Sequence, residues 1–158
     1  MLEWLENTQF SAWMRSELWG WPLALTLHAF GTALVIGFIL IIGLRLLGLF
    51  EMIPYTLLNR LFPVVWAALV LQFVSGFTLW MAKPTQYVGD VAFVLKFLLV
   101  VGGAILTSYF QGTIEREATS WEAKAAVSSR AVKLGGAALL VWCVVLVASR
   151  LIAHLGSI

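Results

Sequence analysis

Four runs of apolar residues, each about the length of a membrane-crossing helix, fill most of a chain of only 158 residues. They cover about 22–50, 63–82, 91–111 and 131–155. The hydrocarbon core of a bilayer is about 30 Å thick, which an α-helix crosses in about 20 residues. Nothing in that core can hydrogen-bond a peptide group, so a spanning segment must satisfy its own backbone, and helices do so within one segment. The expectation is an all-α protein, a four-transmembrane-helix bundle forming one integral membrane domain over 1–158. Composition agrees. The chain is 61% hydrophobic and 11% charged, whereas soluble domains carry about 25% charged residues. Lipid is the solvent such a surface requires. A formal net charge of +2, spread along the chain, gives no footprint for nucleic acid. The single cysteine, Cys143, lies in an apolar run and leaves no intramolecular disulfide to form.

Residues 1–21 read differently from the four spans. Leu2, Leu5, Trp13, Met14 and Leu18 recur at roughly helical spacing, with Glu3, Glu6, Asn7, Arg15 and Glu17 between them. Four of the eight tryptophans, Trp4, Trp13, Trp19 and Trp21, fall here. Indole rings favour the headgroup zone, so the segment is expected to be an amphipathic interfacial helix, or a helix capping the bundle end. The stretch lacks a basic start and a small-residue cleavage pattern, which distinguishes it from a secretory signal. Gly20-Trp21-Pro22 is the expected break, with Pro22 in the first turn of span one.

Loop charges orient the spans. Arg45, Arg60, Arg116, Lys124, Arg130 and Lys133 lie on the side of the 1–2 and 3–4 connections, against Arg15, Lys83 and Arg150 on the other. The positive-inside rule puts the first group in the cytoplasm and both termini outside, in the periplasm if the membrane is a bacterial inner membrane. Small residues spaced by four, Ala33 with Gly37 and Ala104 with Ser108, together with Gly102-Gly103 and Gly135-Gly136, are candidates for close helix contact.

Polar groups inside a membrane are costly and so are the first places to look for function. Antiparallel topology brings His28, Met81, Lys96, Arg150 and His154 into one layer toward the outer side. A b-type haem takes His or Met axial ligands from facing helices and cations for its propionates. His28 is the first candidate ligand, with His154 or Met81 as the second, and Lys96 or Arg150 as propionate partners. Copper, bound through His28 and His154, is the alternative cofactor. The plainer readings are a packing histidine at 28, an interfacial one at 154 and snorkelling at Lys96 and Arg150. Gln72 is expected to bond across helices, and Arg45 to snorkel to cytoplasmic phosphates. The layer favours a redox or electron-transfer component. The competing reading is a non-catalytic or transport-linked membrane subunit, meeting a protein partner or a second copy through the bundle surface or the N-terminal helix.

Leu27-His28-Ala29-Phe30-Gly31-Thr32, leading to Gly37 and Leu44-Arg45-Leu46-Leu47-Gly48, and Val91-Ala92-Phe93-Val94-Leu95-Lys96-Phe97-Leu98-Leu99 resemble small four-helix bacterial inner-membrane proteins similar to the membrane domain of copper-resistance CopD proteins. The first and third spans are more distantly similar to HemJ-type protoporphyrinogen oxidases. The resemblance implies a four-helix bundle in a bacterial inner membrane, with His28 facing a haem or porphyrin and Lys96 near it. Related proteins often carry His or Asn near the end of span three, where this chain has Ser108-Tyr109-Phe110-Gln111.

Overall fold

The computed structural model of the protein describes residues 2–87, 90–124 and 126–155, without the side chains of residues 2, 92 and 150–155. The described residues form helices, turns and short connections, and no strand. Two short helices come first, α1 (Leu2–Glu6) and α2 (Gln9–Ser16). The long helix α3 (Gly20–Leu46) follows. A loop leads to the single turn α4 (Tyr55–Leu58), which passes through a 3-10 turn (Asn59–Leu61) into α5 (Phe62–Ala82). The one-turn α6 (Pro84–Tyr87) precedes α7 (Val91–Lys124) and α8 (Ser129–Leu155). Four helical stretches are long and apolar enough to cross a membrane: Gly20–Leu46, Tyr55–Ala82, Phe93–Lys124 and Ser129–Ser149. The chain is a multi-pass integral membrane protein built as a four-helix bundle.

Burial along the four long helices steps by three and four. The inward row is Ala24, Gly31, Val35, Ile42 and Leu46 on α3, and Phe62, Val65, Ala68, Gln72 and Ser75 on α5. It is Gly103, Thr107, Phe110, Ile114 and Trp121 on α7, and Ala131, Gly135, Ala138, Trp142 and Val145 on α8. This near-3.5 repeat is the spacing of helices crossing at a shallow angle. α3 packs against α5 and α8, and α8 against α7. Large apolar side chains such as Leu40, Ile41, Val70, Phe73, Phe77, Leu98, Ile105, Leu140 and Val147 point outward, an inside-out distribution that lipid accommodates.

Dispersion between close backbones holds such helices together, since lipid is as apolar as the side chains it would displace. The contacts fall at glycines, but not at all of those expected. A methyl group on Gly31 would meet the Ala68 carbonyl oxygen at 3.1 Å and the Gln72 nitrogen at 3.2 Å, so α3 and α5 touch backbone to backbone there. Gly103 admits the Trp142 ring, and Gly135 the Phe110 ring. At Gly37, Gly102 and Gly136, by contrast, an added Cβ would have no neighbour within 4 Å. The Ala33–Gly37 spacing therefore lies off the contact row. At the α7–α8 seam the Trp142 indole N–H donates to Thr107 Oγ1 (3.1 Å), whose hydroxyl donates to the Gly103 carbonyl (2.8 Å).

The N-terminal segment is two helices rather than one. Thr8 caps α2, its Oγ1 accepting from the Ser11 N–H at 3.2 Å. α2 folds onto the end of α5, where the last carbonyls of a helix lack partners. Ser11 Oγ donates to the carbonyls of Met81 (3.1 Å) and Ala82 (3.0 Å), and Arg15 Nη1 donates to the Ala82 carbonyl (2.7 Å). Arg15 also pairs with Glu6 at 3.7 Å. Met14 is buried against Ala24 and Ala82, while Trp4, Trp13 and Trp19 stay exposed. The break before span one falls at Glu17–Trp19, and α3 takes in Gly20 and Pro22, because proline in a first turn loses no hydrogen bond.

Span one ends at Leu46, short of Phe50. Gly48, at φ +91°, turns the chain, with Leu49 N–H bonded to the Leu44 carbonyl and Gly48 N–H to the Arg45 carbonyl. This is the double closure of a glycine-terminated helix. Arg45 does not reach for lipid phosphates. It is 7% exposed, and its guanidinium donates to the carbonyls of Ile53 and Glu51 and to Tyr55 Oη, stacked 3.9 Å over the Tyr55 ring. Glu122, on the stretch of α7 that continues past the membrane, accepts from the Tyr55 N–H at 2.8 Å. Trp121 packs edge-on to Tyr55.

Gly31→Leu is expected to cost about 1–3 kcal/mol by overpacking the α3–α5 contact. Gly37→Leu, on a position open to lipid, should leave thermal unfolding in detergent nearly unchanged. Equal melting of the two variants would refute the assignment of Gly31 to the contact.

Candidate functional site

His28 lies one turn from Ala24 and from Gly31–Thr32, so it stands on the same inward row as the packing residues of α3. Across the seam that row meets Gln72, Ser75 and Gly76 of α5. His28 Nδ1 is 3.0 Å from the Gln72 carbonyl oxygen and 3.2 Å from Ser75 Oγ. A carbonyl can only accept, so Nδ1 carries the proton. Ser75 directs its own hydrogen to the Leu71 carbonyl at 2.7 Å and can receive the second branch of the Nδ1–H bond. The lone pair is thereby left on Nε2, the nitrogen free to ligate or accept. Thr32 Oγ1 donates to the His28 carbonyl at 2.9 Å. Gly76 makes room for the ring: a Cβ there would lie 3.0 Å from His28 Cε1.

Lys96, half-buried on α7, acts electrostatically on His28, so these two sequence candidates share one region. Met81 does not join them through its side chain. At about 100° per residue it lies ~140° around α5 from Gly76 and ~180° from Gln72. Its backbone carbonyl serves instead as an anchor for Ser11. The side chains of Arg150 and His154 lie outside the described residues. Their backbone positions are set by the α3–α8 contact, where a Cβ on Gly43 would touch the Leu139 side chain. His28 lies fifteen residues before Gly43, and residue 154 lies fifteen after Leu139 on an antiparallel neighbour, so the two backbone positions share a level.

Gln72 differs from its expected role. Its backbone carbonyl makes the interhelical bond, while its side-chain Oε1 is buried with no hydrogen-bond partner among the described residues. Cys143 is exposed on the lipid-facing side of α8, beside Leu140, Val144 and Val147. Among the described residues no group of three or more His, Cys, Asp or Glu side chains is placed to hold a metal ion. Ser75 and Gly76 are site residues that the sequence does not single out. Their signal lies in the Gln72-Phe73-Val74-Ser75-Gly76 stretch, which puts a hydroxyl three residues after the glutamine, on the same face, inside an apolar span.

A second polar chain links α5 to α7. The Trp66 indole N–H donates to Gln111 Oε1 at 2.7 Å, and Gln111 Nε2 donates to Glu115 at 2.7 Å. Outside the spans, Tyr87 on α6 is half-buried beside Asp90. Burial first, and then the Asp90 carboxylate, push its phenol above the usual tyrosine value of 10.0.

Comparison with protein-family models, with curated proteins and with solved structures gives no match.

Because both causes disfavour the phenolate, Tyr87 stays protonated to higher pH than a free tyrosine. Asp90→Asn should bring its titration part of the way back, read as phenolate absorbance in a Tyr55→Phe, Tyr109→Phe background. An unchanged titration would show that the carboxylate does not act on the ring.

Proposed function

We propose that this membrane protein is a redox component that holds one b-type haem in the half of the bilayer nearer the N-terminal helices, with His28 as an axial ligand. The observation that carries the reading is the placement of His28 Nδ1 3.0 Å from the Gln72 carbonyl oxygen, which calls for the Nδ1–H tautomer. A ring whose Nδ1–H is tied to a backbone carbonyl and a hydroxyl presents Nε2 in fixed orientation, the arrangement that hydrogen-bonding partners impose on metal-bound imidazoles. His28 and residue 154 at one level on neighbouring helices fit a pair of ligands from facing elements. Lys96, and Arg150 near the end of α8, are the cations that would pair the propionates. Haem, when bound, would supply a one-electron couple. The chain's own part is to orient the imidazole, bring a cation to the site and keep water out with the apolar rows around it.

Met81 does not fit as the second ligand, since α5 turns it away from His28. Copper finds weaker support than haem. The soft donor Cys143 lies on the lipid side of α8, and the described residues assemble no cluster of donors around His28. The likeness of spans one and three to CopD-type membrane domains, the bacterial inner membrane and the periplasmic placement of both termini belong to the same proposal. The positive-inside distribution of Arg60, Arg116, Lys124, Arg130 and Lys133 supports the orientation.

Protein purified in detergent from haem-replete cells is expected to show a Soret band and a reduced-minus-oxidised b-type spectrum. His28→Ala should abolish both. Ser75→Ala should keep the band but raise the midpoint potential, because the ligand imidazole loses part of the hydrogen bonding that makes it electron-rich. A colourless, folded preparation from such cells would overturn the reading.

A further inference from the structure

The lipid-facing side of α3 does not stop where the helix stops. Leu40 and Ile41 face outward near its end, and the exposed apolar surface continues without a polar interruption through Leu47, Gly48, Leu49 and Phe50. Leu47, Leu49 and Phe50 are each more than half exposed, and Met52, at 90%, extends the same patch. Glu51 is the only charged residue among them.

The depth of this patch follows from its neighbours. A Cβ on Gly135 would touch both the Phe110 ring and Leu46, so Leu46, Phe110 and Gly135 share one level. Gln111 follows Phe110, and Lys133 precedes Gly135 by two residues, so that level is where the apolar runs of α7 and α8 end. Leu47 to Phe50 therefore follow directly on the level where those apolar runs end. From there the chain climbs to Tyr55, which meets Trp121, eleven residues (about 16 Å) farther along α7 than Phe110.

The loop is held in place rather than left to collapse onto the bundle. Arg45 bonds the carbonyls of Glu51 and Ile53, Glu122 bonds the N–H of Tyr55, and the Ile53 N–H bonds the Phe50 carbonyl at 2.9 Å. Phe50 is kept at φ +55°, a left-handed conformation that an aromatic residue rarely adopts. A bulky apolar side chain held outward, at a cost in backbone strain, points to a surface that uses it.

We propose that Leu47, Leu49 and Phe50 form a preorganised wedge seated in the acyl-chain and headgroup boundary of the adjacent leaflet. The occupant is lipid rather than a protein because the patch continues the lipid-facing side of α3 and offers no charge pattern for a partner to match. The wedge anchors the α3–α4 connection to the membrane and fixes the depth of the bundle on that side. It stands whatever the His28 site binds.

Cys143 is the only cysteine, so a Cys143→Ser background allows single-site labelling with a nitrobenzoxadiazole fluorophore. Labels at Phe50→Cys and Leu49→Cys would be read in phosphatidylcholine nanodiscs. Leu40→Cys is the reference for the acyl-chain region and Ser120→Cys the reference for water. Labels at 49 and 50 should be quenched by a shallow nitroxide lipid to within about twofold of the label at 40, and by iodide about threefold less than the label at 120. Iodide quenching equal to that at 120, with no effect of the nitroxide lipid, would put the loop in water and overturn the proposal. So would protection from iodide that appears in native membranes but not in nanodiscs, which would make the occupant a protein. If Phe50→Cys does not fold, Leu49→Cys alone carries the measurement.

Discussion

Lipid supplies no hydrogen bonds, and the structure is organised around meeting that constraint from within the chain. Helix interiors satisfy themselves, so the difficulty concentrates at helix ends and at polar side chains on the inward rows. Most are met, from a neighbouring helix or within the helix end itself; Gln72 Oε1, on the inward row of α5, is buried without a hydrogen-bond partner among the described residues. The carbonyls that close α5 take Ser11 and Arg15 from α2, and the end of α3 closes on itself at Gly48. The start of α4 takes the Glu122 carboxylate, and the Trp142 indole finds Thr107. Individually such bonds contribute about 0.6 kcal/mol in membranes. Their larger effect is to fix which helices meet, because an unsatisfied group in hydrocarbon disfavours every alternative register.

The two ends of the bundle answer the constraint differently. On the N-terminal side, α1 and α2 form a short layer in which Ser11 and Arg15 turn toward α5 while the indoles of Trp4 and Trp13 turn outward. On the other side, α7 runs past the membrane and carries Ile114, Ala118 and Trp121 into a continuation of the core, packed with Tyr55 and Leu58. Arg45 is drawn into that core by the Tyr55 ring and the loop carbonyls. A guanidinium with five donors in a rigid fork can tie a loop that an ammonium on a flexible stem would leave loose.

The four spans are legible in the sequence because their signal is a length of apolar residues, which lipid reads directly. The continuation of α7 through Glu115, Arg116 and Glu117 is legible only as a suggestion, since composition there changes while the helix does not. The division of residues 1–21 is not legible, because Thr8 acts as a cap only once α2 has something to dock on. Helix contacts are half visible. Gly103 and Gly135 face partners, whereas Gly37, Gly102 and Gly136 do not, because a small residue shows where approach is allowed and the inward row decides where it happens. At the site, His28 is found because a polar residue in an apolar run stands out. Ser75 and Gly76 pass unnoticed, because a serine and a glycine in a membrane helix are ordinary until a ring is seen against them. Met81 enters the layer on depth alone, and depth cannot say which face of a helix a residue occupies.

His28 stands on a row that otherwise packs apolar or small residues, and its Nδ1–H makes the only use of the ring that α5 accounts for. A link between α3 and α5 of that strength needs one donor. A threonine or serine hydroxyl would supply it with less buried volume and no second nitrogen. An imidazole brings Nε2 as well, and a Cβ at residue 76 would crowd the ring, lying 3.0 Å from His28 Cε1. The Nε2 lone pair is the property that a hydroxyl cannot provide, and Lys96 on α7 lies within electrostatic reach of the ring. The make-up of the seam therefore supports the ligand proposed at Nε2 more than the presence of a histidine in a membrane helix does by itself.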